Sequence, residues 1–395
     1  MYVIEDLFDM RGVVGARIEQ IMSDRNYSKS KFCKICGISR PTMDKILSGS
    51  LGAKATYEKH IRKILNALGS TPDMLISNAE NAYTQAREVR STLHIAAEEI
   101  SKVCGISPER LRKIEAGESA TLAEWRDIAL CLGTGTRCID GSGFFFPQVS
   151  RSEVLLDVYY ADRNRHTISG FWGHIGVQPV NSPDYLWFPI TAHSKNLACD
   201  DLQKERMVVP CMNNKLLYLN PNNINNIVLL AEDCDKPGFA NWDPSVSTGE
   251  IPAVVYETLD DYFLYTETNK TPPNEIISPL LFQYIKHLSE TEKWTEENVR
   301  DITDGIVVHY SDGTLMEHTI DLSQENEIVD DIQFIYAFGK PGCDKTFSSF
   351  SDFDEVITYI NTDKISLIEL PLAQTENVIC KTLEEMRGER NEAEK

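Results

Sequence analysis

The residues from 28 to 54 include side chains that could contact a nucleic acid. Arg40, Thr42 and Lys45 carry the hydrogen-bonding groups that recognise base edges in a major groove. An arginine with two hydrogen bonds to guanine contributes about 1–3 kcal/mol of discrimination. The alternative is an ordinary solvated helix face. The predicted base contacts are Arg40, Pro41, Thr42 and Lys45. The predicted phosphate contacts are Ser28, Lys29, Lys31 and Lys54.

Two short helices joined by a turn are needed to position these side chains. Phe32 and Cys36 fall on one face of the first helix, and Gly37 supplies a turn that a side chain would crowd. Met43 and Ile46 then fall on the inward face of the second helix. The predicted base contacts point outward from that second helix, as a side chain entering a major groove must.

This helix-turn-helix occurs twice. Residues 32–49, the first repeat, and residues 100–117, the second repeat, are identical at eight of eighteen positions. A repeated supersecondary unit is interpreted before any single element, because it determines the architecture. In the second repeat, a candidate second set of DNA contacts is Arg110, Arg112 and Lys113.

The second repeat differs from the first at the start of its first helix. Glu98 and Glu99 stand there, immediately before residue 100, where Ser30 and Lys31 precede the first repeat. Two glutamates would be repelled by phosphates, and phosphate contacts set the register before base contacts count. We therefore favour a second repeat that packs or dimerises, and the alternative is that both repeats read DNA as a pair.

The first repeat and its neighbours resemble the Cro and phage-repressor (XRE) helix-turn-helix family. The residues that carry the resemblance are Gly37-Ile38-Ser39, Ser48-Gly49, Ala67-Leu68-Gly69 and Thr71-Pro72-Asp73. It covers residues 11–77 well and residues 82–139 less well. The resemblance implies double-stranded DNA as a partner and a homodimer that reads a two-fold operator.

The distribution of charge agrees with a DNA-binding N-terminal part. The whole chain has a formal net charge of −21, but residues 11–69 carry 12 Lys and Arg against 4 Asp and Glu, a balance of +8. Residues 141–395 carry 19 basic against 42 acidic residues, a balance of −23. Positive charge is therefore concentrated on the first repeat, where attraction to phosphates requires it.

Composition limits the class of protein. The 395 residues predict two to four domains, and no apolar run reaches the ~18 residues of a membrane helix. The ten cysteines have no disulfide-framework spacing, which predicts a cytoplasmic protein. Cys33 and Cys36 lack a second ligand pair and are interpreted as small buried thiols. We predict no metal, no cofactor, no catalytic residue and no enzyme.

The predicted fold class is multidomain: two all-α helix-turn-helix domains, then a mainly β (α+β) region. The predicted domains are residues 1–78 (first XRE-type domain), 79–140 (second, divergent domain), 150–245 (β-rich module) and 250–395 (β-rich module with helices). The predicted strands are residues 154–160, 170–177, 185–191, 206–210, 215–219, 227–231, 253–256, 262–266, 306–310, 315–321, 332–338, 356–360 and 366–370.

A faint duplication is present in the β-rich region. Residues 218–227 and 359–368 match at four positions with a spacing of 141. Two duplicated small β-barrel modules, similar to Sm-like barrels, are one arrangement of this region. The alternative is two unrelated β modules.

Three functions are compatible with these patterns. The first is a DNA-binding transcriptional regulator, a repressor whose acidic C-terminal region senses a signal or dimerises. The second is an antitoxin or phage-defence component whose acidic half binds a protein partner, with autoregulatory DNA binding. The third is an RNA binder, which the charge of −23 on residues 141–395 disfavours.

Overall fold

In the computed structural model the chain divides into two compact units. The first contains Met1–Glu88 and Gly105–Ala120, and the second contains Val89–Cys104 and Thr121–Lys395. The second repeat contributes to both, and the domain boundaries predicted from the sequence stay predictions. The described residues are 4–8, 11–24, 27–68, 72–75, 85–93, 95–145, 148–150, 169–234, 238, 241–243, 248–268, 270–338 and 346–393.

The first unit is helical, and its core lies beneath the first repeat. Its helices are α1 (Arg11–Asp24), α2 (Lys29–Cys36), α3 (Arg40–Leu47) and α4 (Lys54–Leu68), with short 3-10 helices at Ile4–Phe8 and Pro72–Leu75. Helix α5 (Ala86–Thr92) begins at its end, and α7 (Pro108–Glu115) belongs to it. The largest fully buried side chains of this core include Ile18, Phe32, Met43, Ile46 and Tyr57.

The second unit combines helices with three sheets. Its helices are α6 (Ala97–Cys104), α8 (Leu122–Leu132), α9 (Thr136–Asp140), α10 (Ala192–Asp201), α11 (Ala253–Glu267), α12 (Pro279–Glu292), α13 (Glu296–Thr303), α14 (Glu327–Phe338) and α15 (Leu372–Ala393). Its strands are β1 (Phe171–Pro179), β2 (Leu186–Thr191), β3 (Met207–Cys211), β4 (Lys215–Leu219), β5 (Ile224–Ala231), β6 (Gly305–Tyr310), β7 (Leu315–Thr319), β8 (Phe347–Ser351), β9 (Ile357–Asn361) and β10 (Ile365–Pro371).

A five-stranded antiparallel sheet is the centre of the second unit. Its strand order is β3-β4-β10-β6-β7, and the other two sheets have the orders β2-β1-β5 and β8-β9. One face of the five-stranded sheet packs on the sheet β2-β1-β5 and on α10. The opposite face packs on α14 and the hairpin β8–β9. Strands β3, β4 and β10 are therefore buried on both faces, whereas the edge strand β7 is largely exposed.

Several predicted strands were wrong. Residues 253–256 and 262–266 lie in one helix, α11, and residues 332–338 lie in α14. These segments are rich in β-branched and aromatic residues, which favour strands locally. Tertiary packing overrides this local preference, because Val254, Val255 and Leu259 are buried on one face of α11.

The remaining strand predictions agree with the structure, with one outside its scope. Nine of the ten described strands lie at or within a few residues of predicted positions, and β8 and helix α10 were not predicted. Residues 154–160 lie outside the described part of the chain. The described strands form three open sheets and no closed barrel. The prediction of small β-barrels is therefore wrong for these strands.

A buried carboxyl group joins α15 to the segment after α9. Glu376 is 5% exposed, and its Oε1 accepts backbone hydrogen bonds from Phe144 at 2.9 Å and from Phe145 at 2.8 Å. Burial, with repulsion from Glu257, raises the pKa of Glu376 to about 8. The ordinary value in an unfolded chain is about 4.3. The folded protein therefore holds a proton at neutral pH that the unfolded chain releases.

This proton gives an expected pH dependence. Because the pKa is raised by folding, the contribution to stability falls as the pH rises from about 4 and reaches its lowest value above about 8. Glu376→Gln keeps an acceptor for both N–H groups and cannot ionise. We expect the variant to melt about 5 °C above the wild type at pH 8.5, with little difference at pH 4.5. Differential scanning fluorimetry at both pH values measures this, with exposed Glu297→Gln as the control. An equal shift at both pH values would contradict it.

Candidate DNA-binding surface

Helix α2 has a defined start and end. The side chain of Ser28 accepts a hydrogen bond from the backbone N–H of Lys31 at 3.3 Å, which caps the N-terminus. Gly37 ends the helix with φ of 62°, a left-handed conformation that favours glycine. Phe32 and Cys36 are buried between these ends, as the spacing predicted.

Helix α3 begins immediately after that turn. Ser39 caps it by accepting from the backbone N–H of Thr42 at 3.4 Å, and Pro41 occupies its first turn, where proline is tolerated. Met43 and Ile46 are fully buried on its inner face. The two helices are thus held by local caps at their ends and by one apolar core behind them.

The outer face of α3 exposes the predicted base contacts. Arg40, Pro41 and Lys45 are exposed, and Thr42 is half-buried. The hydroxyl of Thr42 lies 2.7 Å from the hydroxyl of Ser39, so it already has a local partner. In the described part of the chain, the side chains of Arg40 and Lys45 make no hydrogen bond or ion pair. Their charged groups are therefore available to a ligand.

The predicted phosphate contacts have different surroundings. Lys29 forms an ion pair with Asp44 of α3 at 2.9 Å, and this hydrogen bond raises the pKa of Lys29. The ammonium of Lys31 lies 5.0 Å from the centre of the Tyr27 ring. Lys54 is exposed at the first position of α4. A phosphate would compete with Asp44 for Lys29, so Lys31 and Lys54 are the freer cations.

Two basic residues that the sequence pattern did not single out hold the turns around α3. Arg11 donates from Nε to the carbonyl of Gly49 at 3.2 Å, and its guanidinium lies 4.0 Å from the centre of the Phe8 ring. Lys63 donates to the carbonyl of Gly37 at 3.2 Å. Gly37 is the C-cap of α2 and Gly49 lies two residues after the end of α3, and their partners lie 26 and 38 positions away in the chain. No local pattern could have indicated these bonds.

The two cysteines of the first repeat are buried. Cys33 and Cys36 are 8% and 6% exposed, and burial raises the pKa of Cys36 to about 11. A protonated thiol is a poor metal ligand and a poor nucleophile. Within the described residues, no group of three or more His, Cys, Asp and Glu side chains could hold a metal ion.

The second repeat presents its basic residues differently. Ser107 caps α7 as Ser39 caps α3. Arg110 pairs with Glu118 at 2.6 Å and donates to the carbonyl of Ser119 at 2.8 Å. Lys113, the equivalent of Lys45, pairs with Glu109 at 3.3 Å. A DNA contact by Arg110 or Lys113 would have to break an existing ion pair, whereas a contact by Arg40 or Lys45 would break none among the described residues.

The comparison with protein families agrees with this geometry. Residues 17–77 match the family model of the Cro/C1-type HTH DNA-binding domain. These residues include α2, α3 and α4 and end before the second repeat. The N-terminal part of the chain is therefore an HTH domain of the Cro/C1 type, and it supports a DNA-binding regulator. No curated protein and no solved structure matches the chain.

The family match ends at residue 77 and does not extend to the C-terminal region. None of the helices in the described ranges is both long enough and apolar enough to cross a membrane.

Proposed function

We propose that this protein is a cytoplasmic, sequence-specific regulator of transcription, a repressor that reads double-stranded DNA through its Cro/C1-type HTH domain. The observation that carries the proposal is the outer face of α3, where Arg40 and Lys45 are exposed and have no partner among the described residues. This face lies in the segment 11–69, whose charge balance is +8. Such a face offers both phosphate attraction and base-edge hydrogen bonds.

The proposed regulator is a homodimer. One α3 covers only one half-site, and two-fold operators for HTH dimers place half-sites one helical turn apart, about 34 Å. The second repeat has a packing or dimerisation role in this proposal, because its basic residues are already paired. The acidic C-terminal region would dimerise or sense a signal.

Binding to DNA from the protein's own promoter region tests the proposal. We expect the affinity to exceed that for random duplex by about a thousandfold or more. We expect the logarithm of the binding constant to fall with the logarithm of salt concentration, with a slope of about −0.9 for each phosphate neutralised. Fluorescence anisotropy at several salt concentrations measures both. Equal binding to promoter and random duplex would refute the sequence-specific regulator.

A groove in the second unit favours a second candidate, an antitoxin or phage-defence component that binds a basic protein. The groove has a volume of about 870 Å³ and one lining lysine, Lys381. Its lining carboxylates are Asp260, Asp304, Asp321, Glu325 and Asp330. Burial raises the pKa of Asp304 to about 6. This candidate would replace the first if the chain bound no specific DNA and instead bound a basic protein encoded by a neighbouring gene.

A further inference from the structure

Two segments of the second unit have the same order of elements and the same strand pairings. The first β module is β1, β2, α10, β3, β4 and β5, and the second β module is β6, β7, α14, β8, β9 and β10. In the first, β1 pairs with β2 and β5, and β3 pairs with β4. In the second, β6 pairs with β7 and β10, and β8 pairs with β9.

The correspondence extends to single residues. The pair Val208–Tyr218 of β3–β4 and the pair Ser349–Tyr359 of β8–β9 have the same register at a spacing of 141. The hairpin turns contain Asn214 with φ of 58° and Glu355 with φ of 61°, also 141 residues apart. Both hairpins therefore place a non-glycine residue in the left-handed region at the same position of the turn.

A register irregularity is also shared. The pairing of β1 with β5 shifts between Gln178 and Pro179, and the pairing of β6 with β10 shifts between Ile365 and Leu367. Ile365 and Leu367 correspond to residues 224 and 226, which face Pro179 and Gln178. The irregularity therefore lies at the same place in both modules. The two modules can be compared position by position.

The comparison shows a difference on the outer face of the hairpin. In the first β module, Leu216 and Tyr218 are 0% and 1% exposed, because they pack into the core of the second module. The equivalent residues of the second module, Ile357 and Tyr359, are 56% and 64% exposed. Phe347 on the same face is 51% exposed. We call these three residues the β8–β9 face.

The two modules also differ in which strand edges are paired. The first module's β4 pairs with the second module's last strand, β10. Among the described strands, β9 pairs only with β8, and β5 pairs only with β1. Within the described strands, the equivalent of β4 and the equivalent of β10 are thus both unpaired on one edge. Open apolar strand edges are favoured sites for strand addition.

We propose that the β8–β9 face is a self-association surface, on which β5 of a second copy of this chain pairs with β9 as β10 pairs with β4. The pairs Tyr218–Ile368 and Leu216–Leu370 define the register. Their equivalents are Tyr359 with Ile227 of the second copy and Ile357 with Leu229 of the second copy. This self-association rests on the proposed function in one respect only, because a two-fold operator requires a homodimer.

The chemistry of β5 suits this role. Ile227 and Leu229 are half-buried and pack at the margin of the core beneath the sheet β2-β1-β5. A paired β9 would extend that sheet to five strands and place Ile357 and Tyr359 over the same core. Each chain has one β5 and one β9, so reciprocal pairing of two copies leaves neither edge open. A dimer is the expected assembly.

Sedimentation velocity of the full chain without DNA tests the surface. We expect the wild type to dimerise and Tyr359→Lys to weaken the dimer by about tenfold or more, since a lysine would be buried among apolar groups. Leu315→Lys is the matched control, because Leu315 is 58% exposed on an edge strand, β7, outside the proposed surface. A wild type that stays monomeric at all concentrations would overturn the proposal, as would a dimer that Tyr359→Lys leaves intact.

A mixing experiment identifies β5 as the occupant. Ile227→Lys is expected to weaken the dimer as Tyr359→Lys does, with circular dichroism confirming that each variant is folded. Mixed together, the two variants keep one intact β9–β5 contact and are expected to form a heterodimer. An Ile227→Lys chain that is folded and dimerises fully would overturn β5 as the partner strand. Because no DNA is present, a failure of DNA recognition would leave these results unchanged.

Discussion

Arg40→Ala is expected to weaken binding to promoter DNA by about tenfold to a hundredfold, and to weaken binding to random duplex much less. Arg40 is exposed on the outer face of α3 and has no competing partner in the described residues. An arginine with two hydrogen bonds to a guanine is worth about 1–3 kcal/mol of discrimination. Fluorescence anisotropy with both duplexes, at a fixed salt concentration, measures the two affinities.

Arg110→Ala is the matched control, because it removes the same charge from the second repeat. Its guanidinium is already held by Glu118 at 2.6 Å and by the carbonyl of Ser119 at 2.8 Å. We expect Arg110→Ala to lose less than about threefold in affinity for promoter DNA, because an exposed ion pair contributes little. Equal losses in both variants would mean that the two repeats read DNA together. No loss with Arg40→Ala would remove this residue from the interface.

Gly15→Ala is expected to destabilise the HTH domain by about 3 kcal/mol or more and to abolish specific binding. In an exposed helix the same change is stabilising by about 1 kcal/mol. Here α1 lies so close to α3 that an added Cβ would collide with the carbonyl oxygen of Leu47 and lie 2.8 Å from that of Ile46. Backbone atoms cannot move aside as a flexible side chain can, so the two helices would separate.

Hydrogen exchange with mass spectrometry on the full chain locates this effect. We expect protection to fall in α1 and α3 and to stay unchanged in the β sheets of the second unit. Gly52→Ala is the control, because a Cβ there would meet nothing within 4 Å. Unchanged exchange in Gly15→Ala would show that α1 and α3 can accept a methyl group between them.

Local signals were sufficient for the helix-turn-helix. Ser28, Gly37 and Ser39 act on their immediate neighbours through caps and a left-handed turn, so their effects can be seen in a short window. The apolar period of α2 and α3 likewise indicates the buried face. The concentration of positive charge between residues 11 and 69 needs no structure at all.

Local signals were misleading where burial was decided by distant partners. Residues of α11 and α14 have the composition of strands, but their packing against other helices and the sheet makes them helical. The partners of Arg11, Lys63 and Arg110 also lie outside any helical spacing. Which cations are free for DNA was therefore decided by the tertiary structure.

The sequence by itself determined the kind of N-terminal domain, its outward residues and the contrast of charge between the two ends of the chain. Only the tertiary structure decided that Arg110 is paired with Glu118 while Arg40 has no partner among the described residues, and that Tyr218 is buried while its equivalent Tyr359 is exposed. The physical reason is the same in each case. Propensity, capping and charge act over a few residues, whereas burial and ion pairs that reach beyond one helical turn depend on groups that only the folded chain brings together.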